Sequence, residues 1–315
     1  MVVPKPFSSD VRVAVLLCTM NGQRFLEEQL DSLAAQTLLG WQVWASDDGS
    51  QDGTLAILNR YRAAWGEDRL FLQVGPGRGF AANFLSLVCR YDLEAEYYAF
   101  SDQDDIWEAD KLHRAVVWLE TVPNTVPALY CSRTILIDEV GREIGLSPRF
   151  RKPPSFANAL VQNIGGGNTM VFNQAARLLL QDAGNEIEIV AHDWWTYLLV
   201  AGCGGRVFYD PHPSLRYRQH GSNLVGANTS WLSRLARIRL LIEGRFKEWS
   251  AWNLKALYAA DRLLIPGNRR IFKCWAHSRQ QSLPTRLTGL FRAGLYRQTL
   301  VGNLGLLVAA IFRRI

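Results

Sequence analysis

Residues Val11 to Cys18 read VRVAVLLC, a continuous apolar run rich in β-branched side chains. A run of this kind is satisfied as a strand covered on both faces, the pattern of a parallel sheet flanked by helices. From Arg24 to Gln36 the apolar residues Leu26, Leu30 and Leu33 recur at helical spacing, with Asn21 placed to cap near the start. WQVWAS then leads into the loop DDGSQDGT, and a helical pattern resumes from Leu55 to Trp65. Further strands are expected at LFLQV (Leu70 to Val74), EYYAF (Glu96 to Phe100), ALYCSRTILI (Ala128 to Ile137) and NTMVFN (Asn168 to Asn173). This alternation predicts an α/β fold with a doubly wound, mostly parallel sheet, whose ligand crevice lies beyond the carboxyl ends of the strands.

The chain has 315 residues, enough for one large domain or two modest ones. Its 48% apolar content, 20% charged content and abundance of Trp, Tyr and Phe exclude disordered and collagen-like classes. No run approaches the ~18–20 apolar residues of a membrane span, and the opening MVVPKPFSSD lacks the features of a signal peptide, so export is not expected. The five cysteines are far apart and in no C-x-x-C pair, which points to a reducing compartment and no cysteine metal site. The net charge of +6 hides a division: residues 1–230 carry 19 Lys and Arg against 26 Asp and Glu, and residues 231–315 carry 16 against 3. Such asymmetry suggests that the second part meets a polyanion. The boundary is expected at GANTS, giving regions 1–226 and 227–315.

Four polar clusters stand at or after the expected strand ends: Thr19-Met20-Asn21-Gly22, Asp47-Asp48-Gly49-Ser50, Ser101-Asp102-Gln103-Asp104-Asp105, and His192-Asp193 with His220. Asp, Asn, Gly and Ser also bend loops for local reasons, and that reading suffices for Asp47-Asp48 taken alone. The third cluster resists it, because three carboxylates within four residues repel one another unless a cation compensates them. Asp102 and Asp104 share a side of an extended segment, which suits Mg²⁺ or Mn²⁺ with places left for phosphate oxygens. His220 would add a nitrogen ligand and tilt the preference toward Mn²⁺, although a lone histidine is more often structural. The phosphate loop G-x-x-x-x-G-K-[ST], the G-x-G-x-x-G fingerprint at the first strand-helix turn and the G-x-S-x-G elbow are all missing.

Taken in order, LLCTMNGQRFLEEQLDSLAAQT, ASDDGSQDGT, SDQDDIW, HDWW and RYRQHGSN resemble the family-2 glycosyltransferases of GT-A fold, closest to a bacterial rhamnosyltransferase-like branch that builds surface polysaccharides. The resemblance spans about residues 11 to 226. It implies that Thr19, Asn21 and Asp48 line the nucleotide pocket, and that Arg78 and Asn83 of GRGFAANF lie where a loop approaches the nucleotide. It further implies that Asp102 and Asp104 hold the diphosphate through Mn²⁺ or Mg²⁺, with His220 completing the metal shell. Met20 stands where the family often has an aromatic residue stacked on the base; a thioether can cover a ring less specifically. Attack by an acceptor hydroxyl from the face opposite the leaving diphosphate needs one general base, and the resemblance assigns it to Asp193. A plain helix start is the local alternative for His192-Asp193. Trp194 and Trp195 would offer faces to an acceptor sugar or wall out water, and the glycines of NIGGGN would form either a close-approach loop or an ordinary turn.

The implied function is inverting transfer of a sugar, foremost L-rhamnose from dTDP-L-rhamnose, to a sugar acceptor. The alternatives are a UDP-sugar-dependent galactosyl- or N-acetylhexosaminyltransferase and, from another class, an inactive sugar-nucleotide-binding scaffold. Asp102, Asp104, Asp193 and His220 argue against the last. Beyond residue 230, Trp231, Leu235, Ile238, Ile242, Phe246 and Trp249 follow an amphipathic helical spacing, and the rest of the tail mixes Arg with Trp, Phe, Leu and Tyr. That composition suits docking on an anionic membrane surface from the cytoplasmic side, toward a polyisoprenyl-diphosphate-linked acceptor. Nucleic acid is disfavoured, because no binding motif is present and the aromatics lie within apolar faces. A homo-oligomer interface and a cover for the catalytic region are the remaining readings of the tail.

Overall fold

The computed structural model describes residues 12–220 and 245–315. The expected boundary at 226/227 and the start of the amphipathic helix at Trp231 lie outside the described residues. Strands β1 (Val13–Thr19), β2 (Trp41–Asp47), β3 (Leu70–Val74) and β4 (Tyr97–Ser101) pair in parallel in the order β3-β2-β1-β4. The sheet continues through β8 (Val171–Asn173), β6 (Ala128–Ile137), β9 (Arg206–Arg218) and β5 (Ile106–Trp107), with β7 (Glu143–Leu146) beside β6. This second half is mixed. β8 is antiparallel to both β4 and β6, and β9 is parallel to β6 but antiparallel to β5. The mixed half explains why the alternation visible in the sequence stops after β4.

β1 and β2 are buried along their full lengths. Their side chains alternate between two apolar layers, as the period of a strand requires. Val13, Val15 and Leu17 face α1 (Leu26–Ala34), α2 (Thr54–Trp65) and α4 (Lys111–Leu119). Ala14, Leu16 and Cys18 face α3 (Phe80–Val88), α5 (Phe156–Ala159), α6 (Gln174–Ala183) and α7 (His192–Gly202). Every residue of α7 except Asp193 is buried, so this helix is interior on all sides. Asn21 does not cap α1: Phe25 occupies that position, and Asn21 sits in a turn at φ 49°.

The C-terminal helices are α8 (Arg245–Ala259), α9 (Pro266–Ser278), α10 (Leu283–Arg292) and α11 (Leu300–Ile311). Leu257, Phe272, Trp275, Leu290 and Leu306 belong to the same buried layer as Phe156, Trp194 and Leu198. Polar bonds cross this junction too, including Asn268 Nδ2 to Ala201 O at 2.9 Å and Asn158 Nδ2 to Tyr296 O at 2.9 Å. Residues 245–315 are therefore packed on the α5–α7 side of the sheet.

Trp275 is fully buried in that shared layer. Replacing it with Ala is expected to cost about 3–5 kcal/mol, and calorimetry should show one cooperative transition moving down as a whole. Two transitions with only one of them shifted would mean that the tail has a core of its own.

Candidate active site

β1 is flanked by β2 on one side and β4 on the other, so the chain reverses its direction of travel across the sheet here and opens a crevice at the strand ends. β4 delivers Asp102, Gln103, Asp104 and Asp105 to that crevice. Asp102 and Asp104 are half-buried and Asp105 is fully buried. β9 runs thirteen residues to Arg218, two residues short of His220, whose Nε2 lies 2.7 Å from Asp104 Oδ2. The structure thus brings together two residues 116 apart in the chain.

Three groups hold this segment in place, and two of them, Arg218 and Lys111, are unanticipated in the sequence. Arg218 is buried, and its guanidinium donates to Asp104 O at 3.0 Å, to Glu139 O at 3.1 Å and to the Glu28 carboxylate at 2.7 Å. Asp105 accepts from the Arg218 amide at 3.2 Å and from the Asn168 side-chain amide. Lys111 has no exposed surface, donates to Asn168 O, and lies 3.5 Å from the centre of the Trp107 ring. Nothing in the sequence marks Arg218 or Lys111 as interior, since cations are ordinarily found at the surface. Burial pulls the Lys111 ammonium down to about 7, against the opposing pull of Asp105 and Asp102. Burial, followed by the charges of Asp104 and Asp193, pushes the Asp102 carboxyl up to about 7. Asp105 is raised well above the usual carboxylate range, by burial first and then by Asp104 and Asp102.

Asp193 stands in the first turn of α7, close enough to Asp102 for its charge to be felt there. Its Oδ1 accepts from the Trp194 amide at 2.6 Å and its Oδ2 from the Gly167 amide at 3.1 Å, and burial raises the carboxyl to about 6. The cap position belongs to Ala191, so Asp193 is not a simple helix cap. His192 stacks on Phe84 with ring centroids 3.8 Å apart, edge-on to Phe100 and Phe80, and burial lowers its imidazolium to about 3. The NIGGGN segment is a close-approach loop: a Cβ on Gly167 would stand 2.2 Å from His192 Nε2. Trp194 and Trp195 are corrected by the structure. Both are buried in the core, where Trp194 Nε1 donates to Ala159 O at 2.7 Å, and neither offers a face to a sugar.

Of the residues expected on the nucleotide side, Thr19, Asn21, Asp48 and Arg78 stand at or just beyond the ends of β1, β2 and β3. Thr19 is buried and donates to Asp47 Oδ2 at 2.7 Å, while Asn21 Oδ1 accepts from the Gln51 amide at 2.8 Å. Asp48 accepts from the amides of Gly77 at 2.7 Å and Gly79 at 2.8 Å, gripping a loop in which both glycines have positive φ. Arg78, in the same loop, makes a two-pronged pair with Glu186 at 2.8 and 2.9 Å. Asn83 is buried behind the loop, where it donates to Ser46 O and accepts from Ser46 Oγ. Its place is support, not surface. Met20 is half exposed, and its backbone is bonded at both N and O by the Gln103 side chain, a bridge between β1 and β4 that sequence reasoning missed. A cavity of about 480 Å³ between Trp44, Phe71, Gln73 and Arg90 shares none of these residues.

Among the described residues, no three His, Cys, Asp or Glu side chains gather into a metal cage. A divalent ion bound together with a diphosphate needs no such cage, because one or two protein ligands suffice when phosphate oxygens and water fill the remaining positions. The Asp104 carboxylate and His220 imidazole, in direct contact, fit that requirement.

A family profile for glycosyl transferase family 2 matches residues 14–184. The dTDP-rhamnosyl transferase RfbG of Shigella flexneri is 30% identical over 232 residues, 71% of this chain and 78% of its own length. The UDP-Glc:alpha-D-GlcNAc-diphosphoundecaprenol beta-1,3-glucosyltransferase WfgD of Escherichia coli is 24% identical over 50% of this chain and 58% of its own. Among solved structures, S. aureus TarS residues 1–349 share the fold at TM-score 0.54 and 15% identity, covering 96% of this chain and 88% of that one. Mannosyltransferase PcManGT from Pyrobaculum calidifontis, in complex with GDP-Man and Mn²⁺, does so at 0.51 and 20%, covering 99% and 88%. The fold is therefore the GT-A type expected from the motifs. The chain belongs to glycosyl transferase family 2 and is a glycosyltransferase.

Gly167→Ala drives a methyl into a His192 ring that three phenylalanines hold in place. The expected result is about 1–3 kcal/mol of destabilisation, with turnover lowered and nucleotide affinity kept, read by thermal melting and by titration calorimetry. An unchanged melting point and turnover would show that the loop tolerates the contact.

Proposed function

We propose that this chain transfers L-rhamnose from dTDP-L-rhamnose, with inversion and with Mn²⁺ or Mg²⁺, to a sugar acceptor on a polyisoprenyl diphosphate. The work would be done at the cytoplasmic face of the membrane, in the synthesis of a bacterial surface polysaccharide such as an O-antigen. The observation that carries the reading is the meeting of the Asp104–His220 pair and Asp193 at one crevice. The similarity to a dTDP-rhamnosyl transferase supports the donor, and the diphosphoundecaprenol in the name of the glucosyltransferase relative supports the acceptor. That second relative also favours a UDP-sugar as the other donor to be tried. In this reading residues 1–226 carry the chemistry and residues 227–315 attach the enzyme to anionic membrane. No helix among the described residues is long and apolar enough to cross a membrane.

Asp104 and His220 would hold the metal with Asp102 assisting, and the diphosphate would be held through that metal. A divalent ion there supplies charge stabilisation to the departing diphosphate. Thr19, Asn21 and Asp48 border the nucleotide, Asn83 steadies the loop from behind, and Arg78 offers a cation at the rim where Glu186 now holds it. Asp193 takes the proton of the attacking hydroxyl. The Gly167 and Trp194 amides fix the direction of its carboxylate, and partial burial raises its basicity above that of an ordinary aspartate. The tight packing around His192 and the buried tryptophans exclude water, which would otherwise hydrolyse the donor. Incubating the purified protein with a panel of dTDP-, UDP- and GDP-sugars, in Mn²⁺ or EDTA, tests donor and metal together. Turnover that is unaffected by EDTA, or confined to another nucleotide, would overturn the corresponding part.

Asp193→Asn keeps the shape and removes the basicity, so turnover should fall by roughly 10²–10⁴ with donor affinity little changed. Because burial raises this carboxyl to about 6, the base is ionised above that pH and lost below it. The parent's kcat/KM should climb with pH through about 6 and level off above, while the Asn variant should lack that limb.

Asp104→Ala removes the central proposed metal ligand. Calorimetry should show Mn²⁺-supported binding of a nucleoside diphosphate in the parent and its collapse in the variant. Equal binding would end the metal assignment.

A further inference from the structure

Helix α11 reads LVGNLGLLVAAI and contains no charged residue. Leu306, Ala309 and Ala310 pack into the shared core. At 100° per residue, Leu300, Val301, Leu304, Val308, Ile311 and the adjoining Phe312 fall together within about a third of the circumference, on the opposite side. This second face is open: Leu300 is 81% exposed, Val301 78%, Phe312 69% and Leu304 64%. A helix apolar on both sides with one side in water is not explained by packing among the described residues.

We propose that α11 is an in-plane docking helix, seated by this outer face in the headgroup and upper acyl layer of an anionic bilayer. The inference deepens the membrane reading above and rests on it. At twelve residues the helix is too short to cross a bilayer, whereas lying in the interface buries its apolar side and leaves its ends at headgroup level. Charge decides between a bilayer and a second copy of this chain. Residues 245–315 carry thirteen Lys and Arg against two acidic residues, and Arg292, Arg313 and Arg314 are exposed at the ends of α10 and α11. A second copy would bring like charges together, and anionic lipid headgroups complement them. The surface is also tied to the acceptor side of the site. Immediately before α11, Tyr296 O accepts from Asn158, Arg297 donates to Val161 O at 3.2 Å, and the Gln298 amide donates to Gln162 Oε1 at 2.8 Å. The same segment leads into the loop whose Gly167 amide holds Asp193. Docking through α11 therefore anchors the part of the fold that would meet a lipid-borne acceptor.

The test compares the full-length chain with a Leu304→Glu, Val308→Glu double variant, both exposed positions where added charge is compatible with folding. Co-sedimentation with vesicles of phosphatidylcholine, with and without phosphatidylglycerol, should show binding of the parent only to the anionic vesicles, weakened but not abolished by high salt. The variant should bind at least about tenfold more weakly, with its melting point and its turnover on a water-soluble acceptor unchanged. If parent and variant bind anionic vesicles alike, α11 is not the docking element, and membrane attachment stands through another surface. If the parent ignores the vesicles and the substitutions instead convert a dimer to a monomer in light scattering, the face joins two copies and the membrane reading falls with it.

Discussion

A guanidinium sealed from water must find its acceptors inside the fold, and Arg218 finds them at three separate places in the chain: the backbone of Asp104, the backbone of Glu139 and the carboxylate of Glu28. These contacts fasten the end of β9 to the segment after β4. Because His220 follows two residues later, fixing Arg218 also fixes the imidazole against Asp104. The mixed half of the sheet serves this purpose. A strand as long as β9, parallel to β6 along its length and antiparallel to β5 near its end, carries its last residues to the segment after β4.

The same region balances charges that would otherwise repel. Asp102, Asp104 and Asp105 lie within four residues, and the interior around them holds Lys111 and Arg218. Burial disfavours the ionised forms of Asp102, Asp105 and Lys111, while the carboxylates' charge favours the Lys111 ammonium. The raised Asp102 and Asp105 carboxyls and the lowered Lys111 ammonium are two sides of that competition. A divalent ion alone would add positive charge at the open end of the cluster, where Asp104 and His220 meet. The closed end already has its cation.

The Asp193 side of the crevice is built by a different means. Asp193 is oriented by two backbone amides, and one of them comes from a glycine that must lie against a buried histidine. Aromatic packing around His192 therefore sets the position of the Gly167 loop, and through it the Asp193 carboxylate. The C-terminal helices press on α5 and α7 from behind, so the Asp193 side of the crevice and the exposed face of α11 are parts of one packed body. This is the physical reason that the basic tail does not behave as a loose appendage here.

Much of this was legible in the residues themselves. VRVAVLLC is a strand because a continuous apolar run rich in β-branched residues has no better way to be buried, and β6 begins and ends where the expected strand ALYCSRTILI does. The crowded SDQDD segment announces a need for positive charge by its spacing alone. Other features depend on distance in space. The pattern RVFYDPHPSLRYR is too polar to announce a thirteen-residue strand, and only its pairing with β6 and β5 makes it one. Trp194 and Trp195 read as platforms in sequence and are core in the fold, because α7 is covered on every side. Asn83 reads as a nucleotide contact, yet its amide is spent on Ser46. The chain by itself determined which groups could carry charge, chemistry and apolar surface, since those are properties of side chains. Tertiary structure decided which of them meet: contact between residues as far apart as Asp104 and His220, and the burial that shifts Asp193, arise only when distant segments exclude the same water.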